Sequence, residues 1–430
     1  MGRESRADLR ERGDWFVAQV RAQGESASIG GLEAHVPVGG ERTVEWYRGV
    51  FQWWSQNLGT AFTVDDVEET GDSELRWQLT GSNGRRWIAR FALEPDEPWR
   101  LAVFCLERRL PDGVEVRDAV AGDGPAIVEL YRSTPMQAGD LRVTIDPGED
   151  YFALTRLMEE SQTLVATDPD GVIGVYCATR YAGRLNGADV SILLGCHSRM
   201  AAGKAGGGVW SNMNRTLIDR FEGRFDVPLA FVLVGNVAAS RLTSAGAWPA
   251  HPVRAVVRCT ADAPSFGRPA TPDDNDEVVA VLNATHHQQD LFRPYTAVSL
   301  AARLERAPDL YGWDDLWLGD GAVVGVGRTL QGRITEGPDG RTESIRALVL
   351  DHGFLPGRDD AYRALLAACG GDAARRGASR LSVFTTEPAR TYPALRAVAD
   401  AMEAYDVLIP GQTPEDDAAD RGLYVDQVHF

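Results

Sequence analysis

Cysteine is scarce in this 430-residue chain. Its five cysteines, Cys105, Cys177, Cys196, Cys259 and Cys369, are odd in number, widely spaced and without a Cys-x-x-Cys pair. That pattern excludes a disulfide framework and argues against a zinc site, so no metal is expected and the thiols read as small buried hydrophobes. Long apolar runs are missing as well: no stretch of about 18 residues could span a bilayer. The opening "MGRESRADLRERGDW" is too charged for a secretion signal, and the chain reads as soluble and cytoplasmic, with no membrane partner. Basic residues are outnumbered, 44 Lys and Arg against 62 Asp and Glu, for a net charge of -18. This balance argues against nucleic acid and suits a small cationic partner, besides favouring solubility.

What is present is ample apolar material. With 44% hydrophobic residues the chain can bury several cores and suits two to three domains. It also repeats itself. "VRDAVAGDGPAIVEL" from Val116 and "GRPATPDDNDEVVAVL" from Gly267 both read as a short strand, a turn with Asp and an apolar helix; Arg117 and Arg268 are 151 residues apart. Ile173-Gly174-Val175 matches Val324-Gly325-Val326, and Phe231-Val232-Leu233 matches Ser382-Val383-Phe384, at the same offset. Each copy reads as strand, one or two helices, a two-stranded hairpin, a further strand, a turn, a helix, then a strand and a last helix. That mixture predicts an α/β fold with mixed sheets. The copies span 113–260 and 266–430.

Residues 1–112 do not share the repeat. Two helices, a hairpin in which Leu75, Trp77 and Leu79 alternate before a Gly-Ser-Asn-Gly turn, and a strand in "WRLAVFCLERRL" predict a small α+β domain. It is similar to the cystatin or nuclear transport factor 2 type of cone. Seven tryptophans fall here, suited to a packed core, a docking face or a ligand cavity.

One stretch contradicts its surroundings. "GKAGGGVW", Gly203 to Trp210, opens a helix whose apolar positions are Trp210, Met213, Leu217 and Phe221, although each glycine costs a helix roughly 0.5–1 kcal/mol. Bare N–H groups at a helix start, with its dipole, make an anion site, and glycine lets a phosphate approach the backbone. The order of elements with this turn resembles the GNAT acyltransferase superfamily, whose Gln/Arg-x-x-Gly-x-Gly/Ala turn binds the pyrophosphate of acyl-CoA. The match departs at Ala202 and Ala205, where Lys204 would supply the missing charge. "GNVAASRLTSAGAWP" from Gly235 is similar to the family segment that flanks the pantetheine arm. The resemblance therefore implies two tandem GNAT-like domains after the small one, with acetyl-CoA or another acyl-CoA on the first copy. The cofactor contacts it implies are Leu193, Leu194, Gly203, Lys204, Ala205, Gly206, Gly207, Gly208, Asn236 and Ala239.

The second copy carries Asp359 and Asp360 where phosphates would sit, and Glu387 where the first has Asn236. It reads as structural or acceptor-binding. Catalytic candidates in the first copy are His197 and Asp189 on the fourth strand, with Thr243 and Ser244 where the family places a tyrosine. His197 is the better base, since an unperturbed imidazole titrates near neutrality. Adjacent His286 and His287 point to different helix faces and suit no shared metal. Glu149 and Asp150 precede a helix over 151–161 and cap it, or else contact the acceptor; the C-terminal "GLYVDQVHF" alternates like a strand. The leading function is an acyl-CoA-dependent N-acyltransferase, with acetyl the expected group, in which a small amine attacks the thioester directly. A decarboxylase or lyase, an O-acyltransferase, and a non-catalytic CoA-binding module are the alternatives.

Overall fold

The computed structural model describes residues 3–22, 32, 35–36, 43–69, 74–93, 101–204, 208–236, 246–247, 252–409 and 421–429. By contacts the chain forms two compact units, 1–114 with 205–212, and 115–204 with 213–430.

The small unit contains α1 (Arg3–Arg21), α2 (Val44–Leu58), and the strands β1 (Thr63–Glu69), β2 (Glu74–Thr80), β3 (Arg86–Leu93) and β4 (Leu101–Arg108) in one antiparallel sheet of that order. α2 starts where the Thr43 hydroxyl accepts the N–H of Trp46 and stops at Gly59, whose φ of 74° is left-handed. The alternation in β2 buries Leu75, Trp77 and Leu79 against Trp87, Ala89 and Phe91 of β3. Phe16, Phe51 and Trp54 cover them in edge-to-face contacts. Three of the tryptophans are thus core, while Trp46 and Trp53 are 41% and 50% exposed.

The large unit opens with β5 (Glu115–Asp118), α3 (Gly124–Ser133), β6 (Met136–Ala138), β7 (Leu141–Asp146), α4 (Ala153–Leu157), β8 (Glu160–Asp168), β9 (Gly171–Leu185) and β10 (Ala188–Met200). Then come α5 (Val209–Phe221, of which 213–221 belong to this unit), β11 (Val227–Leu233), β12 (Gly246–Ala247) and β13 (Pro252–Arg258). The second copy supplies β14 (Arg268–Pro269), α6 (Asn275–His286), α7 (Ala297–Arg306), β15 (Leu316–Gly319), β16 (Ala322–Gly337) and β17 (Gly340–Phe354). It closes with α8 (Asp359–Arg375), β18 (Arg380–Thr386), α9 (Thr391–Arg396) and β19 (Ala399–Ile409).

Two strand-to-helix turns of the large unit use the same hydrogen bonds. Arg117 forks onto Asp123, and Arg268 onto Asp274; each carboxylate also accepts a backbone N–H, from Val120 and Thr271. Both arginine–aspartate pairs sit at the 151-residue offset, and the same two interactions fix the strand-to-helix turn in each copy.

All strands of the large unit join one sheet, whose main path is β14-β15-β16-β17-β18-β13-β19-β11-β10-β9-β8-β5. The order shows an exchange. β13, from the first copy, lies between β18 and β19 of the second, and β19 lies against β11 of the first. In each copy one neighbouring pair is parallel: β10 with β11 over Ile192↔Val227 to Gly195↔Ala230, and β17 with β18 over Arg346↔Arg380 to Leu348↔Ser382. One face carries a core common to both copies, with Leu185, Ile192, Leu194, Val227 and Leu229 meeting Val278, Leu282, Leu300, Leu304, Leu348 and Leu350. Each fully buried leucine contributes about 2 kcal/mol by area. On the other face α8 covers β16–β18 through Tyr362, Leu365, Leu366 and Cys369.

Two local expectations need correction. The helix expected over 151–161 is confined to Ala153–Leu157, because β8 begins at Glu160 and takes the rest into the sheet. The C-terminal segment is not a strand: after one bridge, Leu423 to Asp290, it ends in a 3-10 turn over Gln427–His429.

Candidate functional site

The parallel pairing of β10 with β11 is short. From Ala230 onward β11 pairs with β19 instead, while β10 runs on to Met200, so the two strands part after Gly195. Glycine is required there, because a Cβ on Gly195 would lie 2.1 Å from the Tyr176 hydroxyl. That hydroxyl crosses the strand to donate to Asn214 Oδ1 of α5 at 3.1 Å. Leu193 and Leu194, expected beside a cofactor, are 4% and 0% exposed on this strand.

His197 follows immediately, inside a register shift between Cys196 and Arg199, with a left-handed φ of 47°. Its Nε2–H donates to the carbonyl of Val428 at 3.1 Å, which fixes the tautomer and leaves Nδ1 as the acceptor. Tyr151 packs edge-on against the ring and donates its hydroxyl to the His197 carbonyl at 3.4 Å. Burial pulls the imidazole pKa down to about 4, the Val428 bond opposing and Arg199 assisting. His197 is therefore neutral at pH 7, unlike the near-neutral titration expected of a free imidazole. Asp189 lies at the other end of β10, its side chain 87% exposed and paired with Arg184. The structure does not bring Asp189 and His197 together.

Gly203 and Gly208 bracket the glycine turn in left-handed conformations, φ 75° and 79°. Both conformations favour glycine, and α5 begins directly after Gly208. Lys204, the only lysine of the chain, is held by Asp168, Nζ to Oδ2 2.7 Å. Its charge is shared with that carboxylate. Asn236 stands half-buried just past β11, its N–H donating to Leu233 O at 3.0 Å. Ala205, Gly206, Gly207, Ala239, Thr243 and Ser244 lie outside the described residues.

In the second copy the corresponding opening, beyond Leu348 of β17 and Ser382 of β18, is filled by the protein's own polar groups. His352 Nε2 donates to the Phe384 carbonyl at 2.9 Å, directly bridging β17 to β18, and Nδ1 accepts from the Tyr362 hydroxyl at 2.8 Å. His286 Nε2 donates to the His352 carbonyl at 2.6 Å and its Nδ1 meets Gln289. Gln289 in turn donates to Leu423 O at 3.2 Å and to Thr386 at 3.4 Å. Burial lowers the pKa of His352 to about 3 and that of His286 in the same direction, so both rings are neutral links. Asp359 and Asp360 occupy the first turn of α8, as expected of helix-starting acids. Asp150 likewise closes the start of α4, accepting from Phe152 N and pairing with Arg156.

A cavity of about 170 Å³ lies within the large unit, between the first copy's Met158, Glu159 and Tyr181 and the second copy's Phe292, Tyr295, Ser299 and Arg303. Tyr424, Asp426 and Val428 complete its lining. Below it Asp351, its side chain fully buried, accepts from Tyr295, Tyr311 and Arg303 at 2.8, 2.8 and 2.9 Å. Tyr311 reaches that carboxylate over Gly325, where a Cβ would lie 1.9 Å from its hydroxyl. Because Val428 both lines the cavity and binds His197 through its carbonyl, the cavity adjoins the end of β10. No group of three or more potential metal ligands occurs among the described residues.

No family model matches the chain, and no curated protein matches it in sequence. Solved structures do match in fold. Saccharomyces cerevisiae N-myristoyltransferase with bound myristoyl-CoA superposes with a TM-score of 0.50 at 8% identity, over 74% of this chain and 86% of that one. The same enzyme with myristoyl-CoA and inhibitors gives 0.51 at 7% identity, covering 74% and 87%. A GCN5-related N-acetyltransferase from Sphaerobacter thermophilus is 17% identical over 75% of this chain and 100% of that one, with a TM-score of 0.45. The chain has the GNAT fold that the N-myristoyltransferase likeness displays.

Proposed function

We propose that the protein is an acyl-CoA-dependent N-acyltransferase with one donor site, in the first copy. The observation that carries the assignment is the difference between two equivalent openings. In the second copy His352, His286, Gln289 and Tyr362 bridge the parting strands, and acids head the helix that follows. In the first copy the strands part after Gly195, and the turn that follows carries left-handed glycines and no acid. The fold likeness to an acyl-CoA enzyme supports the class of donor. An acyl-CoA bound there would supply an activated thioester; its arm suits the unpaired edge of β10 beyond Gly195, and the glycine-rich sequence 203–208 is the candidate for its pyrophosphate.

The protein's own residues then have definable duties. The acceptor amine, a small one given the cavity's size, occupies the space bounded by Tyr181, Tyr295 and Tyr424. His197, held neutral with Nδ1 as its acceptor, orders the water that carries the amine's proton away; with a pKa of about 4 the ring is too weak a base to keep that proton itself. An acetyl donor is the simplest choice for so small a site. Binding of acetyl-CoA and longer acyl-CoAs, followed by thiol release with and without an added amine, tests the reading. Thiol release that needs no amine would favour hydrolysis or lysis, and no acyl-CoA binding would remove the proposal.

A further inference from the structure

Two residues beyond His197, Arg199 turns into the interior. It is 8% exposed, and its guanidinium lies 4.7 Å over the ring of Tyr131. One nitrogen, Nη1, donates to the Ser198 carbonyl at 3.3 Å; Nε and Nη2 are buried with no hydrogen-bond partner among the described residues. Arg333 of β16 is in the same condition. It is 6% exposed, Nη2 lies 3.1 Å from Glu403, and Nε and Nη1 are buried without a partner among the described residues. The two arginines come from different copies but share a neighbour. Ile145 is the ladder partner of Arg333 in β7–β16, and it packs against the apolar cluster that contains Tyr131, the ring under Arg199.

The surrounding charge is mostly positive. Glu403 is shared by Arg333, by Arg346 at 2.9 Å and by Arg254 at 4.0 Å, and Arg254 stacks over Phe384 and Tyr405. Three buried guanidinium groups thus share one carboxylate, and Arg199 is a further like-charged neighbour of Arg333. Desolvation, with Arg333 as a like-charged neighbour, acts to lower the pKa of Arg199 and Arg254. Buried charge of this kind persists where something of opposite sign completes it, and two planar forks with open N–H groups match a carboxylate.

We infer that Arg199 and Arg333 receive a carboxylate of the substrate, beside the reacting end of β10. The inference rests on the donor-site reading above for its place in the reaction, and on the arginine geometry alone for its chemistry. The carboxylate belongs to the acceptor, an amino acid, or to the far end of a dicarboxylic acyl group. A phosphate is the less suited occupant, being larger and already provided for at the glycine turn.

The first test needs no catalysis. The melting temperature of the full chain is followed against succinate, against uncharged succinamide, and against inorganic phosphate at matched ionic strength. Succinate should raise it and succinamide should not. Arg333→Met and Arg199→Met should each weaken the apparent succinate affinity by roughly 10- to 100-fold, the usual worth of a hydrogen bond to a charged group. Without succinate these variants should melt no lower than the wild type, since an incompletely paired buried charge is removed. An unaltered succinate response in both variants, or a response to phosphate alone, overturns the inference. The second test compares acetyl-CoA with an amino acid acceptor against succinyl-CoA with a simple amine. The larger loss of kcat/KM in the variants marks which partner brings the carboxylate. Absence of transfer in every arm would count against the acyltransferase reading, and the melting response would still decide the arginine pair.

Discussion

Acid should destabilise the large unit well above the range where carboxylates titrate, and His352 is the main reason. Its ring is 6% exposed, accepts from Tyr362 at Nδ1 and donates to Phe384 O from Nε2, with a folded pKa of about 3 against an ordinary value of 6.5. A lowered histidine pKa means that the unfolded chain takes the proton first. Stability is therefore highest above about 6.5 and falls as the pH drops, until the folded ring also protonates. Between pH 6.5 and 5 that is about 1.5 units at about 1.4 kcal/mol each, or about 2 kcal/mol. His286 shifts in the same direction, and His197, with a folded value of about 4, adds a further amount reduced by solvent screening. The carboxylates held low by arginine partners, Asp123 and Asp274, act in a separate window below about pH 4. The assay is urea unfolding at pH 7, 6 and 5 for the wild type and His352→Gln, which cannot titrate. The variant should start less stable but lose about 2 kcal/mol less on acidification to pH 5. Equal slopes for the two proteins would refute the buried neutral histidine, and with it the account of how the second opening is closed.

Other expectations can be checked separately. Gly207→Glu should abolish acyl-CoA binding measured by calorimetry, whereas Asp360→Ala should leave it intact; binding lost in the second variant instead would move the donor site. Asp351→Asn removes the charge that Arg303 and two tyrosines share, and should cost about 3 kcal/mol in urea unfolding; a loss under about 0.5 kcal/mol would mean that Asp426 alone satisfies Arg303. His197→Ala should keep donor affinity and lose on the order of 10²-fold in turnover. Because its pKa is about 4, the wild-type rate should show no His197 inflection near pH 6.5; an inflection there that vanishes in the variant would contradict the buried tautomer.

The legible part of the fold was the part in which local pattern and tertiary role agree. Leu75, Trp77 and Leu79 alternate because one face of β2 is buried, and Ile173-Gly174-Val175 matches Val324-Gly325-Val326 because they lie on the long strands β9 and β16, each third from an end of the main sheet path. β1 passed unread, since "TVDDVEE" is an edge strand with no apolar alternation to betray it. The strand exchange could not be read either. β13 and β19 follow their own copies in the chain, and nothing in their residues says which sheet half they join; pairing across copies is settled by the common core of Leu194, Leu229, Leu348 and Leu350.

The site shows the same division, with the opposite sign of error. Glycines announced themselves at the turn because they defy helix propensity, and the acids at Asp359 and Asp360 because they defy phosphate binding. Arginine in a strand gives no such signal. Arg199, Arg254, Arg333 and Arg346 read along the sequence as solvent-facing positions, the ordinary place for a guanidinium. Only the folded sheet turns all four inward, onto a face shared by both copies, where Glu403 answers three of them. A net charge of -18 hid them further, since an acidic chain points to a cationic partner. Surface charge and interior charge are separate quantities: the first steers what approaches, and the second selects what can be held once water is gone. A substrate that is cationic at one end and anionic at the other satisfies both.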